Sequence, residues 1–234
     1  MNPPEIVVFD APHPCSYLPG RTARLPHRHP VQRLAPEEFD QRLAEGDRRT
    51  GVFLYRTQCP QCRACEPIRL DVARFRPNAT QRRIARKGNE LLTVRIAEPT
   101  VDEQRTALFN RHRDERGLAG GDAPIDEASY TDFLTLSCVT TLELSYWHAG
   151  QLVAVAIADA GRHSLSAVYC YYDPHFRLLS LGTYSILRQV ALCRASGRQH
   201  LYLGFYVSQS PHMSYKANFR PHQRLIDGRW IDFG

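Results

Sequence analysis

The second half of the chain alternates between helical and β-type hydrophobic patterns. Thr100 followed by Glu103 is a capping-box signature, which predicts a helix that runs to about Arg116. Asp126 is the candidate cap of a second helix, in which apolar residues recur at helical spacing through DEASYTDFLTLS. The pattern therefore predicts two helices in succession.

Three β-type runs follow these helices. CVTTLELSYW, LVAVAIAD and SLSAVYCYY are rich in β-branched and aromatic residues, and turn sequences with Gly150 and Gly161 separate them. We predict an antiparallel meander. The segment TYSILRQVALCRASG then has one apolar face and Gly197 to end it, which predicts a helix, and HLYLGFY predicts a further strand.

This order of elements resembles the acyltransferase fold of GNAT-type N-acetyltransferases. In that fold a strand-loop-helix junction holds the pyrophosphate of the acyl carrier, because free backbone N–H groups and the helix dipole favour an anion. Arg177-x-x-Ser180-x-Gly182 is similar to the Arg-x-x-Gly-x-Gly cradle, with Ser180 in place of one glycine. We therefore predict an α+β protein with a mostly antiparallel central sheet flanked by helices.

Charge distinguishes the two parts of the chain. Residues 1–95 carry 17 Lys and Arg against 10 Asp and Glu, and the remainder carries 13 against 14. We predict a basic, cysteine-bearing N-terminal region over 1–98 and a GNAT-like acyltransferase domain over 99–234, with a cleft between them. Arg82 and Arg83 belong to a basic run that suits phosphate binding. A solvated helix face explains the same run, so both interpretations stay open.

Cysteine spacing is the strongest chemical signal. Cys59, Cys62 and Cys65 are separated by two-residue gaps, and Cys15 supplies a fourth thiol upstream. Four thiolates suit a zinc site or an iron-sulfur cluster, and the sequence does not separate these two. Ordinary buried thiols or redox-reactive thiols are the alternatives.

Composition limits the compartment and the partners. The chain has 234 residues, 43% of them hydrophobic, which is enough for a sizeable core. The first ten residues have no basic segment and only a four-residue apolar run, so we expect no secretory signal and a cytoplasmic location. No apolar run approaches the ~20 residues that cross a bilayer, so we expect no membrane partner. We expect no DNA partner either.

Ordered motifs along nearly the whole chain indicate a family. They are CSYLP at 15–19, YR at 55–56 before the cysteines, PIR at 67–69, QRR at 81–83, YDP at 172–174, SLGTY at 180–184, YLG at 202–204 and M-x-YK-x-x-FRP at 213–221. With these motifs the chain resembles the arginyl-tRNA-protein transferase superfamily and, within it, the bacterial leucyl-tRNA-protein transferases that act on N-terminal Asp or Glu.

The resemblance implies an acyl transfer from leucyl-tRNA to the α-amine of a protein with N-terminal Asp or Glu. An ester is already activated, so neither ATP nor another cofactor is required, and positioning, amine deprotonation and oxyanion stabilisation carry the reaction. Transfer of arginine stays open as an alternative. An acetyl-CoA-dependent N-acetyltransferase and a non-enzymatic metal-binding or RNA-binding module are two further alternatives.

The resemblance also implies roles for particular residues. Arg82 and Arg83 would hold tRNA phosphates, and the 3' end of the aminoacyl-tRNA would lie on the loop of Ser180, Leu181, Gly182 and Thr183. Lys216 and Arg220 suit the acidic side chain of the target N-terminus or a phosphate, and a role as ordinary surface cations is the alternative.

Aromatic residues and one aspartate complete the candidate site. The tyrosines suited to stack on the terminal adenine or to carry a hydroxyl to the reacting groups are Tyr202, Tyr206 and Tyr215. Tyr202 is a candidate catalytic residue, and a core position is its alternative. Asp173 is the candidate base that orients the amine, and a turn-forming role is its alternative.

Overall fold

The computed structural model describes residues 3–234 and shows a mixed α+β protein. This confirms the predicted class. The strands are β1 Glu5–Phe9, β2 His13–Pro14, β3 Thr22–Ala23, β4 His27–Pro30, β5 Arg48–Thr50, β6 Phe53–Tyr55, β7 Glu66–Asp71, β8 Thr93–Ala97, β9 Thr141–His148, β10 Gln151–Ala160, β11 Ser164–Tyr172, β12 His200–Tyr206, β13 His222–Ile226 and β14 Arg229–Phe233.

The helices within the described residues are fewer than the strands. They are α1 Pro36–Ala44, α2 Ala79–Leu91, α3 Glu103–Glu115, α4 Glu127–Tyr130, α5 Leu181–Ala195 and α6 Pro211–Ser214, with a π-helical turn at Thr131–Thr135 and 3₁₀ turns at Pro174–Leu179 and Tyr215–Asn218. None of the helices within residues 3–234 is both long and apolar enough to span a membrane.

Two of the helix predictions need correction. The side chain of Asp102, and not that of Thr100, caps α3, because it accepts a hydrogen bond from the Arg105 backbone N–H at 2.8 Å. Asp126 caps the second helix as predicted, but only α4 is α-helical and the chain continues as the π-helical turn. Capping residues therefore predict where each helix begins, but they do not predict that the second helix continues as a π-helical turn.

An eight-stranded mixed sheet forms the centre of the molecule. Its order is β14-β13-β7-β12-β11-β10-β9-β8, and the predicted meander of β9, β10 and β11 is confirmed as antiparallel. β7 and β8 come from the first 98 residues and lie in this same sheet, beside strands of the second part. The division at residue 98 remains a prediction.

Helices cover both faces of the large sheet. α2 and α5 lie on one face, with Tyr184 and Ile186 among the buried residues there, and α3 and α4 lie on the other around Phe109 and Tyr130. β10 is therefore buried on both sides, which explains its continuous apolar run. Gly88 lets α2 approach α5, because a Cβ at that position would lie 2.3 Å from the Tyr184 ring.

β11, α5 and β12 form the one parallel crossover of the large sheet within the described residues. β11 and β12 pair only between Ser164 and Ser166 on one strand and His200 and Tyr202 on the other. Beyond these residues no pairing joins the two strands, although both continue for several residues. We call the space between them, after Ser166 and Tyr202, the strand gap.

Candidate functional site

Arg48 lies at the point where the strand gap begins. It extends from the short strand β5, and its guanidinium donates to Ser166 Oγ at 3.0 Å and to the Ala167 carbonyl at 2.8 Å. The side chain is buried, and both of its acceptors are neutral. Arg48 therefore donates hydrogen bonds to β11 where its pairing with β12 ends, and it places a positive charge in the interior.

Lys216 enters the same region from the opposite side. It belongs to the 3₁₀ turn after α6, and its Nζ donates to the Phe205 carbonyl of β12 at 2.8 Å. Burial, together with the nearby Arg48 charge, lowers the pKa of Lys216 to about 7. Nζ is thus held in the interior by a neutral acceptor, and near neutral pH both its protonated and its neutral form are populated.

Gly204 separates the two cations. Its φ of +87° is a conformation that favours glycine, and a Cβ there would lie 3.2 Å from Arg48 Nη2 and 3.4 Å from Lys216 Nζ. Both nitrogens therefore face the same point beside the β12 backbone, which glycine keeps free of side-chain atoms.

Two phenols and a thiol surround the cations. Burial raises the pKa of Tyr17, Tyr55 and Cys65, the last to about 12, and the charge of Arg48 acts against this rise at both tyrosines. These groups are neutral near pH 7. They add polarity to the strand gap without adding a counter-charge.

The four cysteines of the predicted metal site are free. Burial is the largest cause of the raised pKa of Cys65, and electrostatic repulsion from Cys15, Cys59 and Cys62 raises it further. The four sulfurs therefore lie close to one another. Their chemistry suits zinc or an iron-sulfur cluster. Within residues 3–234, however, no three Cys, His, Asp or Glu side chains stand in an arrangement that could hold a metal ion, so the structure does not fit such a group as it stands.

The loop before α5 has the geometry of an anion site. Ser180 has a φ of 50° and starts the helix without a side-chain cap. The first N–H groups of a helix lack partners within it, and the helix dipole places partial positive charge there. Leu181 is buried and Gly182 carries no side chain, so the backbone and Thr183 are what this loop offers to a ligand.

A groove of about 490 Å³ adjoins this loop. Predicted residues Thr183, Tyr215 and Arg220 all line it, together with Asn78 and Gln81 at the start of α2. Asn78 and Gln81 cap each other reciprocally and fix the N-terminus of α2 beside the groove. The structure thus brings three of the predicted residues together across a long distance in sequence.

The basic run lies on the exposed face of α2. Arg82 and Arg83 are exposed, as are Arg86 and Lys87, while Gly88 faces α5. Within the described part of the chain none of these four cations forms an ion pair with a carboxylate. The face therefore combines accessibility with uncompensated charge.

Asp173 is fully engaged by its neighbours. Its carboxylate accepts from Arg111 Nη1 at 2.8 Å and from the His175 backbone N–H at 3.0 Å, and His175 Nδ1 lies 2.9 Å from the same oxygen as that N–H. Although burial opposes the charged form, these hydrogen bonds hold its pKa below the ordinary value. This geometry is that of a residue that caps the following 3₁₀ turn, and its role as a base stays a prediction.

The two tyrosines of β12 have packing contacts. Tyr202 is buried, its hydroxyl accepts from Arg69 Nη1 at 3.0 Å, and its ring packs edge-on against Trp230. Tyr206 is half-buried beneath the Arg224 guanidinium, which lies 4.6 Å from its ring centre. Their predicted roles in base stacking or catalysis are not tested by these contacts.

Two family models match the chain. Residues 13–83 match the N terminus of arginine-tRNA-protein transferase, and residues 104–226 match its C terminus. The chain belongs to the arginine-tRNA-protein transferase family. Every candidate site residue, from Cys15 to Arg220, lies within one of the two matched ranges.

Relatives of this transferase extend over nearly all of the chain. It is 41% identical to the aspartate/glutamate leucyltransferase of Halorhodospira halophila, over 93% of this chain and 92% of the relative. It is 37% identical to the enzyme of that name from Chromobacterium violaceum, over 94% and 90%, and 36% identical to that of Thiobacillus denitrificans, over 94% and 91%. The predicted family is confirmed, and the chain is an aminoacyl-tRNA-protein transferase.

One solved structure shows a weaker likeness to this transferase. It is the C-terminal domain of a putative lysylphosphatidylglycerol synthetase from Agrobacterium fabrum, with a TM-score of 0.48 and 14% sequence identity over 68% of this chain and 53% of that one. This likeness is too slight to establish a common fold.

Arg48 is the residue of this transferase site that sequence reasoning missed. It precedes Arg49, and adjacent residues of a strand point to opposite sides, so at most one of the two faces a given partner. The sequence feature that could have identified Arg48 is the pair of consecutive arginines shortly before the apolar FLY run. The pattern indicates that two charges enter the interior, but it does not identify their partners.

Proposed function

We propose that the protein transfers leucine from leucyl-tRNA to the α-amine of proteins that begin with Asp or Glu, in the cytoplasm. The observation that carries this proposal is the continuity between the groove and the strand gap. Tyr215 lines the groove beside Thr183, and the next residue, Lys216, places its ammonium in the strand gap. A donor in the groove and an acceptor amine at the gap would therefore meet at this turn.

The 3' end of the aminoacyl-tRNA occupies the groove in this proposal. Free N–H groups at the start of α5 and the exposed Arg220 suit the phosphates, and Tyr215 offers an exposed aromatic face to the terminal base. Arg82 and Arg83 extend the positive surface from the groove along α2, where the acceptor stem would lie.

The divergence of β11 and β12 supports a GNAT-like arrangement of this acyltransferase part. The strands part after Ser166 and Tyr202, and α5 follows the C-terminal end of β11 after the 3₁₀ turn Pro174–Leu179, so that the helix N-terminus lies at the end of the sheet where the strand gap opens. This geometry suits an acyl carrier on the helix and its acyl group between the strands.

The chemistry is an exchange of an ester for an amide. The neutral α-amine attacks the ester carbonyl, the C–N bond forms, the C–O bond to the ribose breaks, and the proton of the amine passes to the ribose oxygen. Lys216 lies in a buried, positively charged region, and such surroundings lower the pKa of an amine bound nearby. The lowered pKa favours the neutral, nucleophilic form of the acceptor amine. No cofactor is needed, and no step involves the cysteines.

Transfer assays with two labelled donors test the proposal. Leucyl-tRNA and arginyl-tRNA are each supplied with peptides that begin with Asp, Glu, Lys or Arg. We expect label from leucyl-tRNA on the Asp and Glu peptides alone. Label from arginyl-tRNA on the same peptides would overturn the choice of amino acid, and no label from either donor, in protein shown to be folded, would overturn the proposed function.

A further inference from the structure

We infer that Arg48 and Lys216 together form the subsite that binds the side-chain carboxylate of the acceptor's first residue. The inference rests on the proposed function and deepens it, because it assigns acceptor selection to a named pair of side chains. Arg48 is the specificity-determining member that joins Lys216, while the exposed Arg220 belongs to the groove and to the tRNA.

Among the described residues, the two cations have only neutral hydrogen-bond acceptors. Arg48 donates to Ser166 Oγ and to the Ala167 carbonyl, and Lys216 donates to the Phe205 carbonyl. All of these acceptors are neutral. Within residues 3–234 neither cation forms an ion pair with a carboxylate, although both side chains are more than nine-tenths buried.

The nearby carboxylate is already paired with other groups. The carboxylate that acts on Arg48 through space is Asp159. It is already engaged by Arg49 Nε at 2.7 Å and by the Thr141 hydroxyl at 2.7 Å. An uncompensated buried charge is unfavourable, and the charge of Arg48 beside protonated Lys216 is more so. A bound carboxylate removes this cost, and that is the ligand chemistry the site lacks.

The donor nitrogens of the two cations converge. The Arg48 and Lys216 nitrogens face one point beside Gly204, at 3.2 and 3.4 Å from the position that a Cβ would take. A carboxylate has two oxygens, and it can accept from a guanidinium and an ammonium at once. Glycine at this position keeps side-chain atoms out of the approach to both donors.

The cation pair adjoins both the strand gap and the groove. The pair lies where β11 and β12 part, and Lys216 directly follows Tyr215 of the groove. An acceptor whose side chain reaches this pair has its α-amine three bonds (Asp) or four bonds (Glu) from the carboxyl carbon, on the side of the bound ester. Selection by charge and placement of the nucleophile thus come from a single contact.

Peptide pairs that differ only in charge give the readout. Peptides that begin with Asp and with Asn have nearly the same shape, so the ratio of their kcat/KM values measures recognition of the carboxylate. We expect Arg48→Gln to lower kcat/KM for the Asp peptide by about 100-fold and to change the Asn peptide by less than about 3-fold. An equal fall for both peptides would overturn the inference.

Two further variants serve as controls for Arg48→Gln. Arg220→Gln removes a cation from the groove, so it should weaken the use of leucyl-tRNA and leave the Asp to Asn ratio unchanged. Arg48→Lys keeps the charge but loses the forked donor, and we expect an intermediate ratio. If Arg48→Gln fails to fold, Arg48→Lys and Lys216→Met decide, and an unchanged ratio in both would overturn the inference.

Equilibrium binding separates this inference from the proposed function. Fluorescent peptides that begin with Asp or Asn are titrated into the protein without tRNA. Preference for the Asp peptide that disappears in Arg48→Gln supports the subsite, even where no leucine is transferred. Leucine transfer to Asp peptides with a ratio that Arg48→Gln does not change would leave the proposed function standing and overturn the subsite.

Discussion

Arg48 and Arg49 are neighbours in one short strand, and their charges are compensated differently. Arg49 Nε lies 2.7 Å from Asp159 Oδ2, both side chains are fully buried, and the guanidinium also donates to backbone carbonyls. Arg48 is buried to a similar degree but has only neutral acceptors. The first arrangement completes the electrostatics of the folded chain by itself, and the second is complete only with an anion from outside.

The largest expected effect comes from breaking the compensated pair. Asp159→Asn keeps the shape of the side chain but leaves the Arg49 charge without its counter-ion. We expect the free energy of unfolding to fall by about 3 to 5 kcal/mol in urea titrations. Asp232→Asn is the matched control, because its ion pair with Arg74 is half-exposed and should contribute less than about 1 kcal/mol. Equal losses in the two variants would contradict the comparison.

The second effect is a pH dependence of stability at the uncompensated site. The pKa of Lys216 is about 7 in the folded protein, against an ordinary value of 10.5. Between these values the unfolded chain binds more protons, so the free energy of unfolding should rise with pH, by up to about 1.4 kcal/mol per pH unit. Below pH 7 both states hold the proton and this contribution is constant.

Comparison with Lys216→Met isolates this effect. The variant lacks the titrating amine but keeps the tyrosines and thiols with raised pKa values, whose effect on stability has the opposite sign. The difference between the two proteins, measured in urea at pH 6 to 10, should therefore change in one direction only. If the difference in the free energy of unfolding does not depend on pH, folding does not lower the pKa of Lys216.

Sequence predicted the local parts of this site and missed the distant ones. The meander, α5 and its end at Gly197 follow from periodicity and turn residues that lie within a few positions of one another. The entry of β7 into the same sheet depends on pairing with β12, far along the chain. No local pattern reports such pairing.

The distinction between the two arginines was equally beyond local patterns. Asp159 is 110 residues away from Arg49, so nothing near the Arg48-Arg49 pair says which charge it will compensate. The groove has the same origin, because residues of α2, of α5 and of the segment after α6 line it together although they lie far apart along the chain. Residue types along the chain therefore predicted candidate residues of the site, and tertiary packing determines which of these residues contact one another.

The third effect contrasts these buried cations with the exposed ones of α2. Combined Arg82→Glu and Arg83→Glu changes should weaken binding of aminoacyl-tRNA by at least about tenfold at low salt and reduce the salt dependence of binding, because fewer counter-ions are released. Arg162→Glu is the control, since this exposed residue lies in the turn at the opposite end of β11 from α5. Equal effects of the two charge changes on the binding titration would refute a phosphate role for the α2 face.

The smallest expected effect on stability is the sharpest test of the comparison. Arg48→Met removes two hydrogen bonds, each of which contributes about 1 kcal/mol, but it also removes a buried charge that has no counter-ion. These changes oppose each other, so the free energy of unfolding should change by less than about 1 kcal/mol, whereas binding of an Asp peptide should be lost. A loss of stability as large as that of Asp159→Asn would show that Arg48 serves the fold, because a charge held for an absent ligand does not contribute to folding in its absence.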